Sequence, residues 1–375
     1  MVFQDRRKRG RLDLEATEMA VRSALHRAGA AALTQLLQFP APRDEPRTVP
    51  CPCGQPAPFD QGREQMKVLA GLEVTAKSVE RTAEALGADI AQAEHAVIPP
   101  ALRVDLPALA GAPIPILYVQ MDGTGVPVVK KETVGRQSKT PGQPAHTREV
   151  KLGCVFTQTT WDKQGYPIRA PDSTTYTGAV ETAEEFGRRL YGEAWKRGWS
   201  RAQQQVVMGD GAEWIWNLVA EHFPEAMQIV DLYHARQHLW ELARRLYPND
   251  GEKQKAWMKL HPKRLLDRGR IENLVGALRA IRSRNPEVTE KIRAEADYFE
   301  RNAERMRYPK FRRQHLFVGS GVIEAGCKTV VASRLKRSGM FCTVRGANAI
   351  LALRCAYLNG RFEDYWESRR PAMAA

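Results

Sequence analysis

Three acids in this chain have the types and settings from which a divalent-cation site can be built. Asp122 closes the apolar run Ile116-Leu117-Tyr118-Val119-Gln120-Met121 and precedes Gly123. Asp210 follows Gln205-Val206-Val207-Met208-Gly209 and precedes Gly211, and Glu324 lies in Gly319-Ser320-Gly321-Val322-Ile323-Glu324-Ala325-Gly326. Breaking or transferring a phosphodiester at neutral pH requires neutralised phosphate charge, a deprotonated nucleophile and a stabilised leaving oxygen. Two Mg2+ ions held about 3.5–4 Å apart meet all three needs. Mg2+, or Mn2+ in its place, prefers hard oxygens and keeps several waters, so two or three carboxylates on rigid elements suffice. Taken singly, an Asp before Gly is more commonly a turn or cap residue.

These acids sit in a chain with an excess of the opposite charge. The 375 residues carry 57 Lys and Arg against 43 Asp and Glu, a formal net charge of +14. Such an excess favours a polyanionic partner, and nucleic acid is the commonest. Between Arg301 and Arg345 there are eight Arg and three Lys against only Glu304 and Glu324, so much of the excess surrounds Glu324. A second cluster, Lys259 to Arg284, holds eight basic residues against Asp267 and Glu272. No apolar run approaches the roughly 18 residues of a membrane helix. The basic start Met1-Val2-Phe3-Gln4-Asp5-Arg6-Arg7-Lys8-Arg9 has no apolar stretch behind it, so a cytoplasmic, nucleoid-associated protein is expected.

The elements that must position the acids follow from periodicity. Apolar residues from Leu14 to Leu37 fit a helix with one buried stripe, ended by a proline-rich segment over residues 40–59 that holds Cys51 and Cys53. From Gly62 to Val97 two helices are expected, with a break near Gly71 to Val74 and Thr75 as N-cap. The spacing of residues 69–81 suits a helix-turn-helix with Lys77, Ser78 and Arg81 facing a groove, or an ordinary helical hairpin. Pro99, Pro100, Pro107, Pro113 and Pro115 mark a boundary.

Beyond it the rhythm changes. A strand at 116–121 ends at a glycine turn, and β-rich runs at 148–161 and 166–176 flank the turn Asp162-Lys163-Gln164-Gly165. A helix over 182–197, a strand at 205–208, a helix over 212–223, a strand at 227–230 ending at Asp231, and a helix over 233–247 follow. The order β-β-β-α-β-α-β-α predicts an α/β, ribonuclease H-like fold. Its strand ends would carry Asp122, Asp210 and Asp231 into the crevice where open α/β sheets bind ligands. Residues 248–316 read as an all-helical insertion, and 317–366 as helices returning Glu324 to the core. The domain reading is thus 1–39, 40–59, 60–98, a core of 112–247 with 317–366, and the insertion.

These residues resemble a known family. Met121-Asp122-Gly123-Thr124-Gly125, Thr147-Arg148-Glu149-Val150-Lys151-Leu152-Gly153, Gly209-Asp210-Gly211-Ala212-Glu213-Trp214, Asp231-Leu232-Tyr233-His234-Ala235 and Gly319 to Gly326 are together similar to bacterial insertion-sequence DDE transposases of the Kra group, relatives of Mutator-like elements. The resemblance runs from about residue 60 to the end. It implies that Asp122, Asp210 and Glu324 hold two Mg2+ ions and catalyse DNA cleavage and strand transfer. The implied partners are double-stranded DNA, both element terminal repeats and target, and a second copy of the chain. It assigns Asp231 and His234 to an Asp-x-x-His motif that touches DNA, although a histidine satisfied by Asp231 is an equal reading of His234; His238 reads as structural. DNA contacts are expected from Lys77 and Arg81, and phosphate contacts from Arg312, Arg313, Lys328, Arg334, Lys336 and Arg337.

One departure is plain. A Cys-x-Cys pair followed by a Cys-x-x-Cys pair is expected before the helix-turn-helix, but after Cys51 and Cys53 no cysteine occurs until Cys154. Two thiolates do not make a four-ligand zinc site. The resemblance therefore implies an internally deleted copy with a remnant zinc pair, no stoichiometric zinc and impaired end recognition; a zinc site shared between subunits is the alternative. Cys154, Cys327, Cys342 and Cys355 read as small hydrophobes. A recognition-impaired or domesticated DNA-binding protein or nuclease is the alternative. A phosphohydrolase of the haloacid dehalogenase type is a third reading, but its nucleophile would fall at Gln120.

Overall fold

The computed structural model describes residues 58–102, 111–138 and 142–369. The chain divides into two compact units at Ile90 and Ala91. The residues expected to form the first helix, most of the proline-rich segment and the Cys51/Cys53 pair lie outside the described residues.

In the N-terminal unit, α1 (Phe59–Ala70) ends at Gly71, whose φ of 64° supplies the left-handed C-cap, and its amide bonds back to the Lys67 carbonyl. Thr75 Oγ1 then accepts the Ser78 amide at 3.1 Å, the N-cap expected for α2 (Ala76–Leu102). Val79, Ala83, Leu86 and Ile90 are buried at helical spacing. Contrary to the expected boundary, α2 runs through Pro99 and Pro100. Proline's fixed φ is itself helical, and the pair falls in the last turn, where it removes two backbone donors.

The second unit is mixed α/β, built on one six-stranded sheet: β1 (Ile114–Pro127), β2 (Thr147–Trp161), β3 (Pro167–Arg169), β4 (Thr175–Ala179), β5 (Ala202–Gly209) and β6 (Met227–Val230). The order is β3-β2-β1-β5-β6, with β4 also on β2. β2 is antiparallel to β1, whereas β5 and β6 run parallel to it. The expected third strand is broken in two. Pro171 has no amide to donate, Asp172 sits at φ 50°, and Ser173 Oγ bridges the gap by accepting the Thr157 amide at 3.2 Å. At the far side of β4, Asn359 pairs both backbone groups of Tyr176 and Asn348 both of Val180, covering that edge.

Helix α3 (Ala183–Lys196) opens on a capping box between Thr182 and Glu185. It is followed by α4 (Glu213–His222) and α5 (Leu232–Leu246). From 249 to 316 the described residues form helices joined by turns, with no strand: α6 (Gly251–His261), α7 (Ile271–Ala280), α8 (Pro286–Arg301) and α9 (Tyr308–Arg313). The chain returns through α10 (Gly321–Gly326), a π segment (Cys327–Ala332), a last turn (Ser333–Leu335), α11 (Val344–Leu358) and α12 (Phe362–Arg369).

Alternation along β1 sorts the layers. Met121 pairs with Gly153, and a Cβ on that glycine would lie 2.5 Å from Leu190 of α3, so odd residues face α3. Even residues face the returning segment: Tyr118 accepts the Phe317 amide and Gln120 accepts that of Ile323.

Candidate active site

Register places the first two carboxylates. β1 and β5 are last paired at Gln120 and Met208, and Asp122 and Asp210 each lie two residues further along. Equal offsets on adjacent parallel strands put both side chains on the face of Gln120 and Met208, whose side chains meet at 3.4 Å. The expected strand end at Met121 is corrected: β1 continues to Pro127 because β2 keeps pairing with it as far as Thr147. Asp122 therefore marks the point where β5 stops, not where β1 stops. Gly123 and Gly125 extend the strand instead of turning it. A Cβ on Gly123 would fall 2.8 Å from Glu149 Oε1, so the glycine makes room for a cross-strand side chain.

Each carboxylate is held by its own backbone. Asp122 Oδ1 accepts the Gly123 amide at 2.7 Å, and its Oδ2 accepts the Cys327 thiol at 3.5 Å. Asp210 Oδ1 accepts the Ala212 amide at 2.9 Å. Burial pushes the Asp122 carboxyl up, the Gly123 amide pulls it back, and the negative charge of Asp210 adds to the rise. Burial, with Asp122 beside it, likewise raises the Cys327 thiol. Cys327, expected to be a plain hydrophobe, thus borders the carboxylate pair. It lies three residues past Glu324 on the same helical stretch, and that spacing is the signal that could have found it.

Glu324 reaches this region from α10. Gln120, fully buried, accepts the Ile323 amide at 3.1 Å and so pins the first turn of α10 to β1. Ser320 Oγ lies 3.0 Å from Glu324 Oε1 and shares its single proton between that oxygen and Asp231 Oδ2. Gly326 packs against the sheet, and a Cβ there would lie 2.6 Å from the Tyr176 ring. Among the described residues, none of Asp122, Asp210 and Glu324 pairs with a Lys or Arg. Equally, no three His, Cys, Asp or Glu side chains among them are gathered closely enough to hold a metal ion. The donors are of the kind a hard cation takes, and two share a register, but the third is turned toward Ser320.

Asp231 does not fit the expected DNA contact. It is 1% exposed and caps α5, its Oδ1 accepting the amides of Tyr233 and His234 and its Oδ2 those of the Ser320 backbone and hydroxyl. A carboxylate and a phosphate both only accept hydrogen bonds, so this buried side chain has nothing to offer a phosphate. The His234 ring is not satisfied by Asp231 either; its Nε2 meets His238 Nε2 at 3.2 Å, and His238 Nδ1 meets Glu295 Oε2 at 2.8 Å. The roles of Ser320, Gln120 and Glu295 are not legible in the sequence, because each depends on a partner distant along the chain.

The basic residues divide. Lys77 and Arg81 are exposed on α2, Lys77 pairing with Glu80 at 2.8 Å. Arg312 and Arg313 on α9, Lys328, Lys336 and Arg337 are also exposed. Lys336 Nζ donates to Thr124 Oγ1, which places it two residues along β1 from Asp122. Arg334 is 0% exposed and cannot meet a phosphate, because it shares the inward face of Val330 and Val331, one turn earlier.

No protein-family model matches the chain, and no curated protein matches it. Among solved structures, it aligns with the Drosophila P element transposase strand transfer complex over 93% of this chain and 87% of that chain, at 11% identity and a TM-score of 0.30. No helix among the described residues is long and apolar enough to cross a membrane.

Proposed function

We propose that the chain cleaves DNA strands and transfers them in a Mg2+-dependent reaction, as a transposase of an insertion sequence. The observation that carries this reading is the shared register of Asp122 and Asp210, with α10 and its Glu324 tied to the same strand by Gln120. A half-buried carboxylate pair without Lys or Arg, in a chain of net charge +14, is an arrangement that a divalent cation relieves. The strand order supports a ribonuclease H-like core, with three parallel strands and an antiparallel neighbour to the first. Mg2+ or Mn2+ at Asp122, Asp210 and Glu324 would supply charge neutralisation at the scissile phosphate and acidify the attacking water or hydroxyl. The protein's part is to hold the two strand carboxylates side by side and to swing Glu324 from Ser320 toward them. Lys336, next to Thr124, and Lys328 would grip the phosphate backbone nearby.

Duplex DNA ending in the element's terminal repeat, incubated with the chain and Mg2+, tests the proposal. Wild type is expected to nick the strand and join its 3′ end to target DNA. Asp122→Asn keeps the acceptor for the Gly123 amide and should bind DNA without cutting. A mutant that still cuts would refute the site assignment. Zinc content, measured on the same protein, is expected to be below one per chain.

A further inference from the structure

Helix α8 presents Lys291, Glu295 and Tyr298 on one face, at spacings of four and three residues. Glu295 is 2% exposed, and its carboxylate takes His238 Nδ1 at 2.8 Å on one oxygen and Lys291 Nζ at 2.6 Å on the other. The Tyr298 ring lies parallel to His238 at 4.1 Å, and its hydroxyl donates to the Asp210 backbone carbonyl at 2.9 Å. Gly211, at φ 92°, follows Asp210 so tightly that a Cβ there would sit 2.7 Å from the Tyr298 ring. One face of a helix from the 249–316 region therefore contacts both the backbone of a site carboxylate and His238, whose ring bonds that of His234.

We infer that Glu295 and Tyr298 are positioning residues for the Asp122/Asp210 site: Glu295 sets the tautomer of His234 through His238, and Tyr298 holds the Asp210 turn in place. The consequence for catalysis rests on the function proposed above; the tautomer does not. An ionised carboxylate only accepts hydrogen bonds, so His238 donates from Nδ1–H. Burial pushes the Glu295 carboxyl up, but the His238 and Lys291 contacts outweigh it and hold the group below the usual carboxylate range, hence ionised at neutral pH. In an uncharged His238 ring, Nε2 is then the acceptor, and His234 must donate to it from its own Nε2–H. His234 Nδ1 is left with its lone pair. A buried carboxylate more than fifty residues away in sequence thus decides which ring nitrogen of His234 is basic, as outer-shell partners do for histidines at metal sites.

The test uses the full chain with 15N-labelled histidine. At pH 8, long-range 1H–15N spectra should show His238 protonated at Nδ1 and His234 at Nε2. In Glu295→Gln, whose amide can also donate, the His234 signals should move toward the Nδ1–H form. A wild-type His234 protonated at Nδ1, or signals unmoved by Glu295→Gln, would overturn the tautomer assignment. Tyr298→Phe keeps the ring stack and loses only the bond to Asp210. Its cleavage should need roughly 10–100-fold more Mg2+ for half-maximal rate, with a much smaller change in kcat at saturating metal. An unchanged Mg2+ dependence would overturn the role of Tyr298. Because the spectra are decisive whether or not the chain cuts DNA, a failed enzymatic reading is told apart from a failed histidine assignment.

Discussion

Gln120 Oε1 accepts the Ile323 amide at 3.1 Å across 203 residues of sequence, so the strand that bears Asp122 also anchors the helix that bears Glu324. The Gln120 side chain is fully buried, and its other end rests on Met208, two residues before Asp210. One amide side chain thereby touches all three elements that carry the candidate carboxylates. Replacing it with Leu keeps the volume and strands the Ile323 N–H in the interior. A buried donor without a partner costs about 1–3 kcal/mol. Gln120→Leu is expected to lower the urea midpoint accordingly and to reduce cleavage further than that loss of folded protein accounts for.

Asp231 carries a different load. Its carboxylate satisfies two amides at the start of α5 and both polar groups of Ser320, 89 residues on. Loss of an N-cap alone costs about 1 kcal/mol, and the stranded Ser320 amide adds to it. Asp231→Ala should therefore destabilise by about 2 kcal/mol or more in chemical unfolding, while Ser320→Ala, which leaves the cap intact, should cost less. Equal losses in the two variants would contradict this division of work.

What the sequence discloses follows from how local each cause is. Asp122 and Asp210 are legible because each closes an apolar run before a glycine. Thr75 and the Asp162–Gly165 turn are legible because capping and turn chemistry act within four residues. The length of β1 is not, since Gly123 and Gly125 read as a turn and only the partner strand reveals that they make room for Glu149 and Thr147. Nor is the fate of Asp231, because helix capping and an Asp-x-x-His contact with DNA predict the same residues, and only Ser320 tells them apart. Arg334 shows the same limit for charge: counting places it in a basic segment, whereas helical phase turns it inward.

The contact of Gly326 with the sheet makes a steric prediction. An added methyl would stand 2.6 Å from Tyr176 Cε1 and 3.4 Å from Leu152 Cδ2. Forcing a methyl into a packed layer costs typically about 1–3 kcal/mol. Gly326→Ala should lower the melting temperature and, by lifting the helix that carries Glu324, raise the Mg2+ concentration needed for cleavage. A variant with wild-type stability would mean that the helix and sheet are spaced more widely than described.

Acid should loosen the fold through two buried histidines. His222 and His261 are both held below the ordinary histidine value of 6.5, chiefly by burial. Each stays neutral in the folded chain at pH values where the unfolded chain already takes up a proton. Stability is thus fully present above pH 6.5 and is lost as pH falls from there through the lower folded values. Urea midpoints measured from pH 7.5 down to 5.5 should decline, and His222→Gln, which cannot charge, should flatten the slope whatever it does to the midpoint at pH 7.5. A slope unchanged in that variant and in His261→Gln would assign the decline to other groups.

Charge at the site separates gripping from folding. Lys336, bonded to Thr124 of the carboxylate strand, and Arg337 are exposed, whereas Arg334, two and three residues earlier, is buried. Every phosphate contact releases counterions, so each lost contact should reduce the slope of log K against log salt by about 0.9 on duplex DNA. Lys336→Ala and Arg337→Ala are expected to show that reduction with unfolding midpoints near wild type. Arg334→Met is expected to do the reverse, altering stability while the folded fraction keeps the wild-type slope. Binding isotherms at four or more salt concentrations, paired with urea titrations, distinguish the two. A salt slope that responds to Arg334→Met but not to Lys336→Ala would place the DNA on another face of the molecule.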